Sequence, residues 1–172
     1  MGDKVYVCLK MSKKTLEVEA THQFKKLQIP YSLAMDKTHL YAGMYSYPGK
    51  IAKISKQTMG LDKLLALEKG EDDIRWLVVD PKCTDEGVGC LFAFCNTVPG
   101  RVVQIALDDF NRVDAVALET GENHLLSGCV WDSYLYVATN TAPATIVKVD
   151  KRTMLRQGSL VLDRGQFRLL FQ

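Results

Sequence analysis

The chain has 172 residues, of which 47% are apolar and 24% charged. That apolar content fills one compact core and excludes a disordered chain. Lys and Arg number 22 against 20 Asp and Glu, a net charge of +2, which is too balanced for a nucleic-acid groove or a polybasic membrane surface.

In chain order, Val5-Tyr6-Val7-Cys8-Leu9 reads as a strand and Leu16-Glu17-Val18 as the next, with Phe24 behind them. In the frame of the repeat that follows, these read as strands two and three of a four-strand unit, with Phe24 in the place of Met59. A strand and its turn are then missing. Phe24 stands 5 residues before Ile29, whereas Met59 to Ile74 and Phe110 to Leu125 are both 15. The next segment, 30–73, centres on Leu40-Tyr41-Ala42-Gly43-Met44 and Lys50-Ile51-Ala52-Lys53-Ile54, joined through Tyr45-Ser46-Tyr47-Pro48-Gly49. Gln57 to Ala66 has some helical character, but its counterparts further on have none.

In 74–124 the first strand is Trp76-Leu77-Val78-Val79, apolar throughout, as a strand covered on both faces is. Leu91 to Cys95 is the second and leads into Asn96-Thr97-Val98-Pro99-Gly100. In the third, Val103 and Ile105 alternate with Val102 and Gln104; the fourth, Val113 to Leu118, ends in the turn Glu119-Thr120-Gly121-Glu122. In 125–165 the same order returns as Gly128 to Trp131, Tyr134 to Thr139, Val147 and Val149 against Ile146 and Lys148, and Gly158 to Leu162. Gln166 to Phe171 then reads as the first strand of a further unit.

The repeat is defined by two intervals. From Pro48, Pro99 and Pro143, an apolar residue follows 11 positions later (Met59, Phe110, Met154), and a glycine 11 after that (Gly70, Gly121, Gly165). The period is 44, from Phe110 to Met154; it lengthens to 51 from Met59 to Phe110, and the excess lies within Pro81 to Gly89. A repeated unit of four short strands and this length resembles a β-propeller blade. The Pro-Gly turns and the strands Lys50-Ile51-Ala52-Lys53-Ile54, Arg101-Val102-Val103-Gln104-Ile105 and Thr145-Ile146-Val147-Lys148-Val149 resemble the Tyr-Val-Thr-Asn type. The Gly-His and Trp-Asp signature of Trp-Asp repeats is missing; Trp131-Asp132 falls in the wrong strand for it.

The expected fold is therefore all-β: a propeller with three full blades (30–73, 74–124, 125–165) and a split, incomplete blade made from 1–29 and 166–172. Such a chain either closes as four blades, the first one thin, or completes a ring with a second copy of itself or a partner chain. A third reading is a reduced relative of a longer propeller. An open arc would leave apolar blade faces in water at about 25 cal/mol per Å².

In propellers the loops between strands two and three share one face with those between strand four and the next strand one, and that face commonly binds ligands. Here it would carry Tyr45, Tyr47, Asn96, Thr97, Asn140, Thr141, Glu71, Glu122 and His124. Turn chemistry alone also accounts for Asn and Thr before proline. Glu71-Asp72-Asp73 lacks the alternate spacing of a calcium loop and reads as a solvated turn. His22, His39 and His124 have no zinc-ligand spacing and read as loop or surface residues. The inserted loop, with Lys82, Cys83, Asp85 and Glu86, lies on the opposite face and could dock a partner; a Cys83–Cys90 bridge across it would need oxidising conditions. Cys8, Cys95 and Cys129 read as small core residues.

No catalytic or cofactor-binding motif occurs, so no cofactor is expected. The function implied is a non-enzymatic, protein-binding or structural propeller. The alternatives are a propeller hydrolase or lyase, or a small-ligand or glycan binder on the Pro-turn face. No apolar run approaches the ~20 residues of a membrane-spanning helix. No secretory signal precedes Val5, and five cysteines without framework spacing suit a reducing compartment. An intracellular, cytoplasmic protein is expected, with a protein partner and neither nucleic acid nor membrane insertion.

Overall fold

A computed structural model describes residues 5–25, 28–84 and 87–163. The regular elements among them are all strands. β1 (Val7–Met11) and β2 (Val18–Gln23) form an antiparallel pair. Three four-stranded antiparallel sheets follow, each in sequence order. Sheet I is β3 (Pro30–Met35), β4 (His39–Met44), β5 (Lys50–Ser55) and β6 (Leu61–Ala66). Sheet II is β7 (Ile74–Asp80), β8 (Cys90–Cys95), β9 (Arg101–Ala106) and β10 (Arg112–Ala117). Sheet III is β11 (Leu125–Trp131), β12 (Tyr134–Thr139), β13 (Thr145–Asp150) and β14 (Arg156–Val161). The segment with helical character is a turn followed by β6.

The sheets stack face to face, each turning a leading face to the next sheet in the chain and a trailing face to the previous one. Tyr41 and Ile51 on the leading face of sheet I pack with Leu91, Val103, Ile105 and Phe110 of sheet II. Phe92, Phe94 and Val102 of sheet II pack with Leu135, Val147, Val149 and Met154 of sheet III. The N-terminal pair sets Cys8 and Phe24 against Ala42, Ala52, Ile54 and Met59, on the trailing face of sheet I. Sheet II is sandwiched, so every residue of β8 is buried, both sets of its alternating side chains included. The first strands β3, β7 and β11 stand side by side and line a central cleft of ≈ 380 Å³. Trp76 crosses from β7 to donate its indole N–H to the Gly128 carbonyl of β11 at 2.9 Å. A side chain on Gly128 would run into the Phe94 ring.

The N-terminal strands are not strands two and three. Leu16 has φ 60, as Met59 (55), Phe110 (54) and Met154 (51) do at the turn between strands three and four. Its N–H donates to the Ser12 carbonyl, as that of Met59 does to Ser55, and Phe24 N–H donates to Tyr6 O as Leu67 does to Gly49 and Leu118 to Gly100. β1 is therefore a third strand and β2 a fourth, and Phe24 holds the place of Leu67 rather than that of Met59. Among the described residues, this pair has no strands one and two. The misreading arises because second and third strands are equally apolar; the turn geometry tells them apart. The predicted strand Gln166 to Phe171, together with Gly165, Asp85 and Glu86, lies outside the described residues.

In sheets I and II the first turn is fastened by an aspartate, most fully at Asp36. Its carboxylate accepts the Tyr41 hydroxyl and the N–H groups of Thr38 and His39, all at 2.7 Å. Burial pushes this group up, but those donors outweigh it and hold it at about 2. A depressed carboxylate stabilises the fold above its unfolded pKa near 4, and that contribution is lost as pH falls through about 2. Asp36→Asn should therefore lose about 1 kcal/mol at neutral pH, after allowance for solvent screening. Urea titrations from pH 5 to 2 should show the gap to wild type closing towards the acid end.

Candidate functional site

The turns after β4, β8 and β12 and the connections β6–β7 and β10–β11 meet at one end of the stack. Gly49 N–H donates to Glu71 O, Gly100 to Glu122 O, Asp73 to Ser46 O and His124 to Thr97 O. The peptide before each turn proline, Pro48, Pro99 and Pro143, is cis. This end thus gathers the nine candidate residues named from the sequence, but it employs them differently.

Glu71 is buried and accepts Nε and a terminal nitrogen of Arg112 at 3.0 and 2.6 Å, together with the Glu68 N–H at 3.0 Å. Glu122 repeats the arrangement with Arg156 and the Glu119 N–H. Each carboxylate ties an inter-blade connection to the outermost strand of the next blade. Hydrogen bonding to Glu71 raises Arg112 above its usual value. Burial works against the Glu122 carboxylate, but Arg156 keeps it below the ordinary range.

Asp73, also buried, accepts Arg75 at 2.8 Å and the Asn96 amide at 2.8 Å; the other end of that amide, its oxygen, lies 2.9 Å from His124 Nδ1. The acidic triplet is therefore no solvated turn: Glu71 and Asp73 are each 1% exposed. Arg112 and Arg156 stand 41 and 34 residues along the chain from their carboxylates, where a local sequence pattern does not show them. Thr97 and Thr141 each donate a hydroxyl to the proline carbonyl of their own turn. Asn140 donates its backbone N–H to His124 O and its side chain is exposed.

Beside this network lies an aromatic group the sequence reading only half found. Tyr31, Tyr45 and Tyr47 contact one another edge to face at 5.7 and 5.5 Å, and the Arg75 guanidinium lies 4.2 Å from the Tyr31 ring. Burial works against the charge of Arg75, but Asp73 raises it nonetheless. Tyr47 is pushed up to about 12, first by its hydrogen bond with Tyr45. Tyr31 is the second residue of β3, and its alternation with Leu33 and Met35 is the signal that would have placed it here.

On the opposite face, Cys83 and Cys90 form a disulfide across the inserted loop and are both buried; Gln104 Nε2 lies 3.3 Å from the Cys90 sulfur. Lys82 is exposed at the base of the loop, with its N–H on Asp80 at 3.1 Å. Among the described residues no three His, Cys, Asp or Glu side chains converge as metal ligands, and no helix is long and apolar enough to cross a membrane.

Among the described residues, nothing covers the two ends of the stack. On the trailing face of the N-terminal pair, Leu9, Met11 and Leu16 are 51%, 50% and 73% exposed. Where strands one and two of that blade would lie, Tyr31, Leu33 and Met35 are also open. On the leading face of sheet III, Trp131 and Leu160 are exposed and Tyr136 and Ile146 only half-buried.

No protein-family model and no curated protein matches the chain. Solved structures do. The WD40 repeats of RRP9 superpose with a TM-score of 0.63 at 7% identity, over 91% of this chain and 41% of that one. U3-55K gives 0.62 at 7% identity, over 91% and 42%. The computationally designed Ika4 protein gives 0.60 at 14% identity, over 85% and 79%. The chain thus spans about two fifths of the WD40 chains it resembles. With strictly antiparallel four-stranded sheets stacked about a common cleft, the fold is that of a β-propeller.

Proposed function

We propose that this protein is a non-enzymatic β-propeller that works as a protein-interaction or structural module and binds through the bare blade faces at the two ends of its arc. The exposure of Leu9, Met11 and Leu16 carries the reading, because the same three positions are buried in every full blade. An apolar face of this kind in water marks an interaction surface. The loop face supports it from the other side: Glu71, Glu122 and Asp73 are paired with arginines that hold blades together. We assign the repeats to the Tyr-Val-Thr-Asn type on their Pro-Gly turns and third strands.

The test is site-directed labelling of Leu16→Cys and Tyr136→Cys with a maleimide. In the cells of origin, at native abundance, both should react at least ~10-fold more slowly than in the dilute purified chain, as burial in a protein interface requires. Equal rates in the two settings would sink the reading.

A further inference from the structure

Resting on that reading, we infer that the occupant of the bare faces is a second copy of this chain, bound head to tail. The leading face of sheet III in one copy lies on the trailing face of the N-terminal pair in the other.

The repeat itself shows what covers each face. Leu9, Met11 and Leu16 occupy the positions of Ala52, Ile54 and Met59 in sheet I, and of Val103, Ile105 and Phe110 in sheet II, all buried. They form a trailing face with no leading face against it. Tyr136 and Ile146 occupy the positions of Tyr41 and Ile51 and of Phe92 and Val102, all four at 0% exposure. They form a leading face with no trailing face against it among the described residues. One chain therefore carries both halves of an interface that it makes twice internally between full blades.

Particular contacts carry over. Tyr41 stacks on Phe110 at 5.6 Å between ring centroids; the matching pair across copies is Tyr136 on Leu16. Lys53 Nζ donates to Leu107 O at 3.2 Å and Gln104 Nε2 to Lys151 O at 3.4 Å, the same inter-blade bond at two successive interfaces. The third member of that series pairs Lys148 with the Lys13 carbonyl of the second copy. Within its own chain Lys148 lies over the Tyr134 ring, 3.6 Å from its centroid. These contacts need only third and fourth strands on the trailing side, the two strands that the N-terminal pair has.

A head-to-tail contact either closes into a ring or grows into a filament. The described arc covers about two fifths of the WD40 chains it resembles, so two such arcs placed head to tail span most of the length of one of them. Closure at two copies uses both bare faces of both chains.

The experiment is a mixing test on the purified full chain, read by light scattering. Wild type should have twice the mass of one 19.3 kDa chain. Leu16→Asp alone and Tyr136→Asp alone should each weaken association at least ~10-fold, as a charge at the centre of an apolar contact does. An equimolar mixture of the two should regain the dimer, because it retains one undamaged interface: Tyr136 of the first variant against Leu16 of the second. That recovery also shows that both variants are folded. A mixture that stays monomeric, or single variants that dimerise like wild type, overturns the inference. A 19.3 kDa wild type with both labelled positions open in solution but protected in cells overturns the second copy and leaves the interaction reading standing. A 19.3 kDa wild type with both positions protected in dilute solution means the chain closes on itself, which overturns both.

Discussion

Arg112→Ala will destabilise the protein by about 3 kcal/mol, measured by urea unfolding at neutral pH. Removing one partner of a buried ion pair costs roughly 3–5 kcal/mol, because the remaining charge is left without its counter-ion. Glu71 has 2% side-chain exposure and Arg112 has 24%, so the effect belongs at the lower end. Water reaches the arginine side but not the carboxylate. The loss should exceed that of Glu71→Gln, which keeps the size of the side chain and an acceptor for the Glu68 N–H and leaves an arginine that can turn to Glu68. Arg156→Ala should behave in the same way through Glu122. If both arginine variants unfold like wild type, the carboxylates hold the blades through their backbone caps alone, and the inter-blade ties described here are wrong.

Those ties mark the boundary of what the sequence discloses. The period, the hairpin turns and the inserted loop are local: Pro48, Pro99 and Pro143 and the residues 11 positions beyond them fix four-stranded units because turn chemistry acts over a few residues. The cover on both faces expected of Trp76 to Val79 belongs instead to β8, Cys90 to Cys95: the first strand β7 lines the central cleft and is only partly buried. The arginine that pairs Glu71 is not local, and neither is one of the partners of Asp73. Arg112 is 41 residues from Glu71, and the Asn96 that binds Asp73 is 23 residues away and is brought beside it by the β7–β8 pairing; only Arg75 is a near neighbour of Asp73 in the chain. The N-terminal pair is an intermediate case. Ser12-Lys13-Lys14-Thr15-Leu16 matches Ser55-Lys56-Gln57-Thr58-Met59 residue type for residue type at four of five positions if Leu and Met are equated. That alignment would have identified β1 as a third strand. Hydrophobic alternation alone hid it, because alternation is the same in every strand of a blade.

The repeat also allows one side chain to be compared with itself in two environments. Phe92 and Tyr136 hold the same position in sheets II and III; the first is fully buried between blades and the second faces outward. Phe92→Ala should cost about 3–5 kcal/mol, the transfer term plus a cavity that Met154 and Val147 of the rigid neighbouring blade cannot collapse to fill. Tyr136→Ala should cost about 0.5 kcal/mol in the isolated chain, since a half-exposed ring makes few contacts to lose. The two values should not both be independent of protein concentration. Association stabilises only the folded form, so wild-type stability should rise with concentration by mass action, and the Tyr136→Ala deficit should widen with it. The Phe92→Ala deficit has no such dependence while the dimer persists, because Phe92 touches only its own chain. Chemical unfolding of both variants over a hundredfold range of concentration separates the cases. A Tyr136→Ala deficit that stays flat over that range would mean that the leading face of sheet III is bare in solution as well as in the single chain.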